Sequence, residues 1–144
     1  MESREILALL PWRHPFLMLD RMIEFKPHER IVTLKNVSSN DPLACRSGPD
    51  GPCLPDVMLL EGMSQGAALL YRLTFEGRPD RLPLLGFLKA SLHQPATFGS
   101  SVRFHVTALK MTTGGGVFAG EARSGDRLLA EAELGFAAAS PGEV

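Results

Sequence analysis

The chain has 144 residues, 44% of them hydrophobic, with a formal net charge of −1. That length suits a single domain, 1–144, with its own core. The near-neutral balance and the absence of a basic run argue against nucleic acid as a partner. No stretch is long and apolar enough for a membrane span. The N-terminus, MESREILALLPW, carries acids early and no long apolar run, so no signal peptide and a cytoplasmic setting are expected. Cys45 and Cys53 lack metal-ligand spacing and read as free thiols, with a bridge between them as the alternative. Neither a metal nor a cofactor is expected.

In chain order, Ser3 to Leu10 reads as a short helix, capped by Ser3 and ended by Pro11. Pro11 and Pro15 then hold the backbone extended or turned, and Phe16 to Phe25 has the composition of a strand. Pro27 and His28 make a turn. Arg30 to Ser38 alternates, and its Val32 and Leu34 side suits a core face. Asn40 to Pro55 holds Pro42, Gly48, Pro49, Gly51, Pro52 and Pro55, and reads as a stiff loop. A rigid loop beside a functional group is a natural place for chemistry.

Leu54 to Leu73 is the organising helix. From Val57 to Leu70 nearly every position is apolar or small, the pattern of a helix buried on all sides. About 17 residues at 1.5 Å each give roughly 25 Å, enough to cross a small domain. Asp56 is placed to cap the first N–H groups. Gly62 and Gly66 lie four apart, which suits the close approach of another backbone. Glu61 is the anomaly. A carboxylate among Leu59, Leu60 and Met63 is expensive to bury unless it is paired or faces a solvated cleft. Gln65, one turn on, shares its side of the helix. Glu61 therefore reads either as a satisfied core acid or as a functional group.

Gly77 to Pro83 is a polar break, and Leu84 to Leu92 a strand. Ser101 to Met111 alternates Val102, Phe104, Val106 and Ala108 against Arg103, His105 and Thr107. Gly114 to Gly116 make a hairpin turn. Val117 to Arg123 and Arg127 to Phe136 complete an antiparallel meander, and Ala137 to Val144 is expected to fray. One antiparallel sheet curled around one buried helix is an α+β domain. Its edge strands invite pairing across a dimer.

LLPWRHPFLMLDRMIEF, LKNVSSNDP and GPDGPCLPDVMLLEGMSQ follow one another in an order that resembles the FabZ-type 3-hydroxyacyl-acyl-carrier-protein dehydratases. KASLHQPATFGSSV extends the likeness, which covers about the first hundred residues. The resemblance implies the hot-dog fold and a homodimer or trimer of dimers. It implies no cofactor, and a substrate carried as an acyl thioester on acyl carrier protein or CoA, within fatty-acid or polyketide-like biosynthesis. In that family a histidine on the proline-rich loop of one subunit faces a glutamate on the central helix of the other. The glutamate falls on Glu61 and a following glutamine on Gln65. The histidine falls on Ser47, flanked by Arg46 and Gly48, and the helix-start glycine falls on Asp56. Glu61 and Ser47 are thus the expected catalytic positions. Asp56, Val57 and Gln65 are the expected substrate-binding residues. The serine hydroxyl accepts no further proton near neutral pH, so Ser47 does not replace an imidazole base. Three readings follow: a hydro-lyase with an altered site, a degenerate partner of a histidine-containing dehydratase, or a hot-dog acyl thioesterase.

Overall fold

The computed structural model describes residues 1–48, 51–76 and 82–139, and of 46–48 and 82 only the backbone. Among the described residues two helices, α1 (Ser3–Leu9) and α2 (Asp56–Thr74), accompany nine strands. These are β1 (Arg21–Lys26), β2 (Arg30–Asn36), β3 (Cys45–Gly48), β4 (Gly51–Leu54), β5 (Leu82–Leu92), β6 (Ala96–Thr97), β7 (Ser101–Thr112), β8 (Gly115–Ser124) and β9 (Arg127–Ala139). Six strands form one antiparallel sheet in the order β1-β2-β7-β8-β9-β5, and β3-β4-β6 form a small second sheet. The large sheet wraps α2, as the hot-dog resemblance implies.

The core forms where the sheet meets that helix. Leu59, Met63, Leu69 and Leu70 of α2 are buried with Val102, Phe104 and Val106 of β7 and Phe118 of β8. A Cβ on Gly62 would stand 2.2 Å from Cζ of Phe104, and one on Gly66 would stand 3.1 Å from Cγ2 of Val106. The two glycines thus make room for side chains of β7, not for a second backbone as the sequence suggested. Gly62→Ala is expected to lower stability by about 1–2 kcal/mol, because overpacking a buried ring outweighs the gain in helix propensity. The shift of the denaturation midpoint measures it.

Several sequence expectations need correcting. Glu2, not Ser3, caps α1, in a capping box with Glu5. Pro55, not Asp56, is the N-cap of α2, and no side chain caps that end. The expected strand over Phe16–Phe25 begins only at Arg21, because Phe16 and Leu17 turn back onto the Arg13 carbonyl. The stiff loop contains the β3–β4 hairpin, and Pro49 lies outside the described residues. The polar break at Gly77–Pro83 falls mostly outside them too; its last two residues, Leu82 and Pro83, open β5. Ala137–Ala139 do not fray but pair with Leu84, Pro83 and Leu82 of β5.

The face of β2 is also reversed. Ile31 and Thr33 sit opposite Val106 and Phe104, so the Ile31–Thr33–Lys35 side is the one toward α2, since directly paired residues share a face. Lys35 is tolerated there because its ammonium meets Asp41 at 3.1 Å, both side chains being 8% exposed. Two ties fix the far end of the helix. The Tyr71 hydroxyl donates to the Thr113 carbonyl at 2.7 Å, and the His28 N–H donates to Oγ1 of Thr74 at 3.2 Å.

Candidate active site

Glu61 lies in the second turn of α2 and is partly buried. Gln65, fully buried, donates from Nε2 to Oε1 of Glu61 at 3.0 Å and to the Phe16 carbonyl at 2.8 Å. Its Oε1 accepts from the Met18 N–H at 2.7 Å. All the amide's donors and one acceptor are therefore used within the chain. The helix places Gln65 one turn beyond Glu61, and the backbone of Phe16 and Met18, where the chain leaves the turn on Arg13, supplies the other partners. The result is a clamp that fixes one carboxylate oxygen and joins α2 to the segment before β1.

The carboxylate faces a cavity of about 210 Å³. Glu61, Ser64 and Ala68 supply its helix side by their spacing of three and four residues; Trp12, Leu85, Leu134 and Phe136 are the larger side chains of the remaining wall. Among the described residues no lysine, arginine or histidine pairs with Glu61. An acid held by one neutral amide and open to an apolar cavity can exchange a proton with a bound molecule.

The other sequence-singled positions are spread along the same region. Asp56 and Val57 occupy the first turn of α2, Val57 being largely exposed. Ser47 is in β3, and its side chain is outside the described residues. Of the four histidines, none lines the cavity. His28 sits in the β1–β2 turn with its ring edge against Phe75, and His93 lies 3.5 Å from Glu131. His105, on β7, has its basicity lowered mainly by burial, against the pull of Glu121. Arg13 is exposed, and its guanidinium bonds the Leu10 and Trp12 carbonyls at 2.6 and 2.9 Å. Among the described residues no three His, Cys, Asp or Glu side chains cluster as a metal site would need.

The edge strand β5 borders this cavity. Leu85, Leu88 and Leu92 pair with Phe136, Leu134 and Ala130 of β9 and so share their core-side face. Yet Leu85 is 55% and Leu92 44% exposed. The opposite face is closed locally, where the Phe87 ring covers Gly135.

Comparison with known proteins identifies the family. A family model described as ApeP-like, ApeP dehydratase, matches residues 4–142. The chain belongs to the ApeP-like dehydratase family. A 3-hydroxyacyl-[acyl-carrier-protein] dehydratase FabZ from Methylobacterium radiotolerans is 40% identical over 92% of this chain and 86% of its own. The FabZ from Symbiobacterium thermophilum is 40% identical over 91% of this chain and 92% of its own. The ApeI:P dehydratase heterocomplex from Xenorhabdus doucetiae shares the fold, with a TM-score of 0.81 and 21% identity, covering 96% of this chain and 93% of that one. The resemblance read from the sequence is thereby confirmed over nearly the whole chain of this ApeP-like protein. No helix among the described residues is long and apolar enough to cross a membrane.

Missing from the sequence reading were Trp12, Leu85, Leu134 and Phe136 as cavity walls. Ser64 and Ala68 could have been found from helical spacing around Glu61. The other four come from distant segments whose meeting no local pattern encodes.

Proposed function

We propose that this ApeP-like protein serves the dehydration of 3-hydroxyacyl thioesters on acyl carrier protein, in the cytoplasm, as a hydro-lyase whose acid–base residue is Glu61. The observation that carries this is the Glu61 carboxylate, held at one oxygen by Gln65 and otherwise open to an apolar cavity. Water loss removes a proton beside the thioester carbonyl and expels the β-hydroxyl, so it needs a base and an acid. Glu61 serves as the acid–base group at the leaving hydroxyl. On this reading the N–H groups of Asp56 and Val57, at the start of α2, are the donors that polarise the thioester carbonyl. Gln65 acts as a positioning residue rather than by touching substrate, since its N–H groups are committed. Ser47 holds a water or hydroxyl but supplies no base.

A second chain completes the site. The exposed core-side face of β5 adjoins the Glu61 cavity, and an apolar surface of that kind invites a partner. Two assemblies meet this need. In a homodimer, or a trimer of dimers, the second chain is a copy, and the reaction proceeds without the histidine. In a heteromer a histidine-containing dehydratase is the partner and takes its glutamate from this chain. The family name and the heterocomplex in Xenorhabdus doucetiae support a partnered role. The purified protein is assayed with a 3-hydroxyacyl thioester on carrier protein and on CoA, alone and mixed with such a dehydratase. Water loss in either arm, abolished by Glu61→Gln, is the expected result. Release of free carrier thiol would replace this reading with a thioesterase.

A further inference from the structure

The chain has two cysteines, and the proposed chemistry uses neither. Cys45 in β3 and Cys53 in β4 stand directly opposite one another in the antiparallel ladder. Both are free thiols. Residues so opposed hold their Cα atoms about 4.5–5.5 Å apart. A disulfide accepts about 4.4–6.8 Å, so the backbone already has the spacing a bridge requires. The two thiols differ in access: Cys53 is 4% exposed, whereas Cys45 is only partly buried.

We propose that Cys45 and Cys53 form a reversible thiol–disulfide modification site, oxidised by a small-molecule disulfide of the glutathione type. Cys45, the reachable thiol, loses its proton to water and attacks one sulfur of the small disulfide. That S–S bond breaks and one glutathione leaves as its thiolate. Cys53 then loses its proton and attacks the Cys45 sulfur, and the second glutathione leaves. The chain gives up two electrons and two protons, and the small disulfide becomes two thiols. Cys53 acts second because burial, with smaller contributions from Cys45 and Asp56, raises its pKa and keeps it a thiol near neutral pH. The bridge would tie β3, which carries Ser47, to β4, which runs through Leu54 and Pro55 into α2. Oxidation would therefore lock the two strands of the hairpin whose second strand leads into the helix that bears Glu61. This inference stands whether or not the protein dehydrates a thioester.

The test incubates the folded protein with oxidised glutathione, blocks remaining thiols with an alkylating reagent, and maps tryptic peptides without reduction. Cleavage after Lys35, Arg46 and Arg72 puts Cys45 in 36–46 and Cys53 in 47–72. The expected product is a monomer lighter by two hydrogen atoms, with those peptides joined, and restored by dithiothreitol. Cys53→Ser should accumulate a stable glutathione adduct on Cys45, and Cys45→Ser should leave Cys53 unmodified over the same interval. Persistent adducts on the wild-type chain, chain-to-chain dimers, or thiols that react only after unfolding would each overturn the assignment. The wild-type map decides by itself if either variant fails to fold.

Discussion

Glu61→Gln is expected to reduce water loss from a 3-hydroxyacyl thioester by about 10²–10⁴-fold, the usual contribution of a general acid–base group. The substitution is nearly isosteric. The new side-chain oxygen can still accept from Nε2 of Gln65, so the clamp on Phe16 and Met18 stays in place. Stability should therefore change little while kcat falls. Because the cavity wall is otherwise unchanged, KM should also move little, which marks an interaction made chiefly in the transition state. Steady-state kinetics beside a thermal melt separate the two. A large drop in melting temperature with a proportionate loss of activity would mean that Glu61 is structural.

Asp41→Ala is expected to destabilise the fold by about 3–5 kcal/mol, the usual cost of stranding one member of a buried ion pair. Lys35 points to the helix side of β2, and its ammonium meets Asp41 at 3.1 Å with both side chains 8% exposed. Asp41 also shapes the turn that leads into β3. Its Oδ1 accepts from the Leu43 N–H at 3.0 Å, and its carbonyl accepts from the Ala44 N–H at 3.0 Å. Removing the carboxylate leaves a charge buried beneath the sheet and frees the turn. The double variant Lys35→Met with Asp41→Leu should lose much less than Asp41→Ala alone, because no unpaired charge remains. Denaturant titration of the single and double variants measures this. Equal losses in both would mean that the turn, rather than the charge, controls stability at this position.

Much of the fold was legible because its signals are periodic. α2 stood out through its unbroken apolar run, and β7, β8 and β9 through alternation on either side of glycine turns. What failed depended on tertiary partners. Lys35 and Thr33 made the buried side of β2 look polar, and only the pairing with Asp41 and the register with β7 explain it. The β3–β4 hairpin hid behind its prolines and glycines, which local chemistry reads as loop. Ala137–Ala139 looked frayed because alanine carries little strand signal, yet the ladder with β5 holds them.

The candidate site was legible in part for a different reason. Glu61 is a local inconsistency, a charge in a greasy helix, and such conflicts tend to mark function or strain. Gln65 was visible through helical spacing, but its task was not. Its partners, Phe16 and Met18, lie 49 and 47 residues away. Leu85 and Leu92 could not be read as wall residues from the sequence, since they belong to the core-side face of β5 yet stay exposed among the described residues.

If Glu61 works in a site finished by another chain, subunit complementation will reveal it. A histidine-containing dehydratase whose own helix glutamate has been replaced is mixed with this protein, and water loss from a 3-hydroxyacyl-carrier thioester is followed. The wild-type chain is expected to restore the reaction and the Glu61→Gln chain is not. Equal rescue by both chains, or rescue by neither when a mixed complex is shown to form, would contradict this role of Glu61.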